Sequence, residues 1–166
     1  MIREFAKKLA AFREFVDCVI IAAQFKRGTF EESTEILKTH AAMILIRVRS
    51  SEAELLIKMI RPRKEIQATF GSRIQTAEKI WRIFTASEVS DFTAAVGDQN
   101  KIHQFNPPIV PGLLILETIC AAFPTKSFKV KFKNFITAGE PLNLQSVGNK
   151  FEITSAGVKK ISGEFL

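Results

Sequence analysis

The stretch Leu113-Leu114-Ile115-Leu116-Glu117-Thr118-Ile119-Cys120-Ala121-Ala122 is apolar nearly all round. A helix without a polar face must be buried on most sides, so the rest of the chain has to enclose it. Pro111-Gly112 opens it. Proline suits a first helical position because its missing N–H would be unpaired there anyway. Pro124 ends it. Beyond Pro124 the chain is β in pattern. Phe128, Val130 and Phe132 alternate with Lys129, Lys131 and Lys133, a half-buried strand with a cationic outer face. Gly139 turns the chain, and Leu142, Leu144 and Val147 continue a second strand. Phe151–Thr154 and Val158–Phe165 read as a hairpin through Ala156-Gly157. Upstream, Ile80–Phe84 reads as a short strand. Thr85 and Glu88 then form a capping box, Val89, Phe92 and Val96 share one helical face, and Gly97 stops the helix. A long antiparallel sheet curled around one apolar helix accounts for this order, an α+β architecture.

Residues 1–79 are less organised, and no strong chemical motif appears among them. Phe5, Leu9, Phe12, Phe15, Val16 and Val19 recur at helical spacing, which predicts a helix over residues 3–25. Gly28 breaks it, and residues 31–42 are expected to form a second helix. Met43–Arg49 and Ala53–Ile60 are strand-like, Pro62 ends the second of them, and Ile66–Phe70 runs to a turn at Gly71. The chain therefore divides into a helix-plus-strand segment, 1–79, and a more clearly patterned unit, 80–166.

Composition excludes some classes of function. With 46% hydrophobic and 25% charged residues the chain is an ordinary globular one. Its net charge of +7 attracts phosphates, acidic proteins or anionic surfaces without choosing among them. It has no zinc-ligand spacing, no arginine-rich run and no aromatic-plus-basic platform, so neither a metal nor nucleic acid is expected. The apolar run Cys18–Ala23 is too short to span a bilayer, and Glu4, Glu14 and Asp17 argue against a signal peptide. Cys18 and Cys120 lie in apolar stretches and read as buried thiols, which fits a cytoplasmic chain.

Three motifs carry chemistry. They are Gly97-Asp98-Gln99-Asn100-Lys101-Ile102-His103, Ile109-Val110-Pro111-Gly112-Leu113-Leu114, and Val130-Lys131-Phe132-Lys133-Asn134-Phe135-Ile136-Thr137-Ala138-Gly139-Glu140. In this order they resemble the signature loop, the central-helix start and the following strand and turn of MaoC-like dehydratases and (R)-specific enoyl-CoA hydratases. The resemblance implies a hotdog fold, paired as a dimer or as tandem repeats, with a homodimer expected. It also implies hydration of 2-enoyl thioesters, or dehydration of 3-hydroxyacyl thioesters, as in fatty acid metabolism. The carrier would be coenzyme A or acyl carrier protein, with no further cofactor. Residues 1–79 would allow a degenerate, partial second hotdog. Two departures stand out: Lys101 occupies a position the family usually fills with proline, and the segment from His103 to Pro111 is short.

The chemistry asks for a held water, a group to take its proton, a donor for the α-carbon and N–H groups for the charge that grows on the thioester oxygen. Asp98 and His103 are five residues apart and would not face each other on a helix, but a loop that folds back can bring them together. The resemblance makes them the water-binding dyad. Asn100 shapes the loop through side chain to backbone bonds and can touch substrate. Gly112 offers an unpaired N–H at a helix start, where the dipole favours negative charge. Lys129, Lys131 and Lys133 are candidates for the phosphates of coenzyme A or an acidic carrier protein. Simpler roles stand beside these: a turn for Asp98, close packing for Gly112, and a solvated strand face for the lysines. His40 reads as ordinary. Two further functions are open. In a thioesterase, hydrolysis usually needs a carboxylate on the central helix, where Glu117 is the candidate. In a non-catalytic module the acyl thioester is only bound.

Overall fold

The computed structural model describes residues 1–40, 42–62 and 79–166. Helix α1 (Ile2–Ala10) opens the chain, followed by strands β1 (Val19–Arg27), β2 (Ser33–His40), β3 (Met43–Arg49) and β4 (Ala53–Ile60). Then come β5 (Ile80–Ile83), helices α2 (Ala86–Val96) and α3 (Gly112–Ala122), and strands β6 (Ser127–Phe132), β7 (Pro141–Val147), β8 (Lys150–Ser155) and β9 (Val158–Phe165). Among the described residues, all nine strands join one sheet in the order β2-β3-β4-β1-β6-β9-β8-β7-β5. Each named strand pair is antiparallel.

The sheet order has an internal symmetry. Reading outward from the central β1–β6 pair gives β4, β3, β2 on one side and β9, β8, β7 on the other. Each set follows a helix in the chain, α1 and α3, and these two helices pack on each other. One hydrophobic cluster runs through both halves, from Phe5 and Leu9 of α1 to Leu116 and Ile119 of α3.

Helix α3 behaves as its composition demands: Leu113, Leu114, Ile115, Leu116 and Ile119 are all buried. Each such aliphatic side chain contributes roughly 1.5–3 kcal/mol relative to exposure. Its start differs by one position from expectation. Pro111 is the cap residue, with φ −58° and ψ 134°, and Gly112 is the first helical residue. Helix α2 carries the full capping box between Thr85 and Glu88, and Gly97 ends it at φ 76°.

The helix expected over residues 3–25 stops at Ala10, and Val19–Arg27 is a central strand. The β-branched run Val19-Ile20-Ile21 prefers a pleated surface, and pairing with both β4 and β6 outweighs an accidental helical spacing. The helix expected over 31–42 is also a strand, β2. It lies at the sheet edge and leaves Ile36 and Leu37 exposed, so it lacks the alternation that marks a half-buried strand. The strand expected at Ile66–Phe70 and its turn at Gly71 lie outside the described residues. Strands β3 and β4 run as expected, with Ala53, Leu55, Ile57 and Met59 inward.

Gly163 in β9 faces the ring of Phe151, its partner in β8. A Cβ built there would lie 2.1 to 2.7 Å from three ring carbons. Phe151 is buried and stacks with Phe123 and Phe165, so its ring has nowhere to go. Gly163→Ala is therefore expected to destabilise the fold by about 3 kcal/mol, the upper part of the overpacking range. Chemical denaturation measures it, and a loss below about 0.5 kcal/mol would show that the aromatic stack yields.

Candidate active site

Three short backbone runs meet at the start of α3. The loop 98–104 leaves α2, residues 108–111 lead into α3, and the strap 133–140 connects β6 to β7. Val110 N donates to Ile136 O at 2.8 Å and Ala138 N to Pro108 O at 2.9 Å, so strap and helix lead-in run side by side. Ile109 N donates to Ile102 O at 3.1 Å and ties the lead-in to the loop.

The loop turns on its own polar side chains. Asp98 Oδ1 accepts from Asn100 N at 2.9 Å, an Asx turn. Asn100 Oδ1 accepts from Ile102 N at 3.3 Å, and its Nδ2 donates to Cys18 O at 3.0 Å. Asn100 is buried, and its amide thus joins the loop to the start of β1 in the other half of the chain. The turn His103 N to Asn100 O, 3.1 Å, brings the imidazole back toward Asp98.

His103 Nε2 lies 3.5 Å from Asp98 Oδ2, and the imidazole is only 8% exposed. His103 Nδ1 lies 2.6 Å from Ile109 O. A carbonyl oxygen can only accept, so Nδ1 carries the hydrogen and the neutral ring presents a lone pair at Nε2. That lone pair and the Asp98 carboxylate are both acceptors. At 3.5 Å they make no bond to each other, but one water can donate a hydrogen to each. Asp98 therefore fills the turn role and the facing role at once, through different oxygens.

Burial of the imidazole pushes the His103 pKa below the ordinary range; the Asp98 charge and the bond to Ile109 O oppose this and do not overcome it. The charged form is the penalised one. Protonation therefore begins to cost stability as pH falls through the unfolded value of about 6.5, and the loss levels off below the folded value. An NMR titration of the His103 ring is expected to show a midpoint below about 6.5, and a midpoint above it would mean that Asp98 outweighs burial.

A cavity of about 1020 Å³ opens beside the pair, with Asp98, His103, Asn100 and Gly112 all in its wall. The first half of the chain contributes Leu9, Phe12 and Ile20 to the same wall. The Gly112 N–H is one of the first in α3 and has no acceptor within the helix; the earliest helical bond is Ile115 N to Pro111 O. A Cβ at Gly112 would stand 3.4 Å from Ile20 and 3.6 Å from Phe132, ordinary contact, so packing alone does not demand glycine there.

The three lysines separate. Lys133 lies at the cavity, whereas Lys129 is paired with Glu164 at 2.9 Å on the outer face and Lys131 points to solvent. Glu117 turns away from the cavity to Arg3 of α1, at 3.0 and 3.2 Å. Cys18 and Cys120 are free thiols, each pushed upward by burial, Cys120 to about 11. No helix among the described residues is long and apolar enough to cross a membrane.

Sequence reasoning does not find the carbonyl of Ile109, because a backbone acceptor has no residue signature. It also passes over the Lys160–Glu140 pair in the cavity wall, 2.6 Å apart. A lysine in a strand reads as solvent-facing, and only an irregularity in pairing turns this one inward.

No protein-family model matches the chain, and no curated protein matches it significantly. Solved structures do. HtdX from Mycobacterium tuberculosis superposes with a TM-score of 0.61 at 13% identity, over 99% of this chain and 86% of that one. A MaoC-like dehydratase from Phytophthora capsici gives 0.55 at 14% identity, over 91% and 72%. An acyl-ACP thioesterase from Bacteroides thetaiotaomicron gives 0.51 at 11% identity, over 90% and 75%. At such identities the shared property is architecture, and the chain adopts the hotdog fold of these proteins.

Proposed function

We propose that this chain adds water to 2-enoyl thioesters and removes it from 3-hydroxyacyl thioesters. The observation that carries the reading is the pair of acceptors, Asp98 Oδ2 and His103 Nε2, 3.5 Å apart in the wall of a cavity that also holds the Gly112 amide. A water donating to both has its oxygen lone pairs directed away from the protein, toward a bound β-carbon. As the C–O bond forms, the dyad takes one proton from the water and passes that same proton to the α-carbon, so the water's OH and H end on the two former double-bond carbons and the dyad is restored. The Gly112 N–H stabilises the charge that gathers meanwhile on the thioester oxygen. The reverse sequence expels water.

Hydrolysis by a carboxylate on the central helix has less support, because Glu117 is engaged with Arg3 outside the cavity. Coenzyme A or acyl carrier protein would bring the acyl group to the cavity mouth. Lys133 lines the cavity, which favours it over Lys129, paired with Glu164, as the lysine that would meet those phosphates. We also propose that residues 1–79 are a reduced hotdog repeat. The mirrored order about β1–β6 supports this, and so does the sharing of one cavity. The pairing otherwise expected of a homodimer is then met within one chain.

The test is a panel of 2-enoyl-CoA esters of increasing length, followed at the enoyl absorbance with thiol release monitored in parallel. The enoyl signal is expected to fall without free thiol. Thiol release would make the protein a thioesterase. Ligand-dependent thermal stabilisation with neither signal would make it a binding module.

A further inference from the structure

Lys160 is buried in the cavity wall, with its side chain 11% exposed, and plays no part in the chemistry of the dyad. Its position is unusual. Thr154 pairs with Lys159 and Ile153 with Ile161, so Lys160 is an extra residue in β9 opposite β8, a β-bulge. Bulges re-aim a side chain, and this one sends an ammonium inward against the segment 133–140.

Lys160 grips the strap 133–140 by four bonds. Its Nζ donates to Phe135 O at 2.8 Å and meets Glu140 Oε1 at 2.6 Å. Its own carbonyl accepts from Lys133 N at 2.8 Å and Asn134 N at 3.3 Å. Glu140 completes the grip, since its other oxygen accepts from Thr137 N at 3.0 Å.

The strap in turn holds one peptide unit, the one between Ile109 and Val110. Its N–H donates to Ile136 O at 2.8 Å, and its carbonyl accepts from His103 Nδ1 at 2.6 Å. A peptide clamped on its N–H side offers a fixed and more polarised oxygen on the other. That oxygen decides which ring nitrogen of His103 keeps the hydrogen and therefore which one presents a lone pair to Asp98. The same lead-in continues through Pro111 to the Gly112 amide.

We propose that Lys160 is a positioning residue: through the strap and the Ile109–Val110 peptide, it sets the tautomer and aim of His103. The inference rests on the assignment of Asp98 and His103 as the dyad.

The experiment reads the ring of His103 by nitrogen NMR in the full chain without substrate, and turnover separately. In the unaltered protein the ring is expected to be protonated at Nδ1 alone. Lys160→Met would leave Glu140 without its partner, so Lys160→Met/Glu140→Gln, which removes both charges, is measured beside it. Both are expected to show a mixture of tautomers and about a 10²-fold loss of turnover, the order expected for a displaced catalytic group. Lys160→Arg, which can still reach Phe135 O and Glu140, is expected to restore the single tautomer and most of the turnover. A folded double variant with the ring still protonated at Nδ1 alone would overturn the proposal. So would Lys160→Arg behaving like Lys160→Met. If the tautomer responds as expected but no enoyl thioester is turned over by any form, the positioning role stands and the hydratase reading falls.

Discussion

Asp98→Asn is expected to lower enoyl-thioester hydration by roughly 10³-fold, within the span usual for a positioned proton-transfer group, and to leave the fold intact. The substitution keeps an oxygen for the Asn100 N–H, so the turn that shapes the loop survives. What changes is the atom 3.5 Å from His103 Nε2. An amide NH₂ there donates where the carboxylate accepted. It can bond to the imidazole lone pair directly, in place of the water, so both acceptors are lost at once. His103→Ala is expected to cost a similar factor, and the double variant little more than either, because the two act as a unit. Steady-state kinetics on the most reactive enoyl-CoA ester measures this. An Asp98→Asn protein with more than about a tenth of normal turnover would remove the carboxylate from the mechanism.

Gly112→Pro is the second large effect, and it isolates a single hydrogen atom. Proline at a first helical position leaves the helix whole, because that N–H has no partner within the helix. The residue before a proline must be extended, and Pro111 at ψ 134° already is. The variant should therefore fold, lose the N–H proposed to hold the thioester oxygen, and lose about 10²–10³-fold in kcat. Gly112→Ala keeps the N–H and adds a methyl in ordinary contact with Ile20 and Phe132. It is the control, expected to retain most activity. Equal losses in the two variants would assign the effect to crowding and remove the amide from the mechanism.

The second half of the chain is legible in the sequence because its signals are local and agree with one another. The capping box at Thr85, the glycine stop at Gly97 and the all-round apolarity of residues 113–122 each fix an element without knowledge of the rest. The candidate dyad is legible as a motif, and its facing geometry comes from two Asx-type bonds, Asp98 to Asn100 and Asn100 to Ile102.

The first half misleads for the opposite reason. The apolar run from Val19 to Ala23 suits a helix or a strand, and the choice falls to the sheet partners β4 and β6, which lie far away in sequence. Edge strand β2 gives no alternation because neither of its faces is buried: its residues are half-buried at the start and exposed from Ile36 to His40. The same non-local logic hides Lys160. Its inward aim depends on an extra residue in pairing with β8, which no single-strand pattern contains.

The fate of the water's oxygen distinguishes hydration from hydrolysis. A 2-enoyl-CoA ester is incubated with the protein in water labelled with heavy oxygen, and the products are read by mass spectrometry. One heavy oxygen is expected on the β-carbon of an intact 3-hydroxyacyl thioester, with roughly 10³-fold less formed by Asp98→Asn over the same time. Heavy oxygen found instead in a free carboxylate, or label on the β-carbon that persists undiminished without the Asp98 carboxylate, would contradict the proposed hydration.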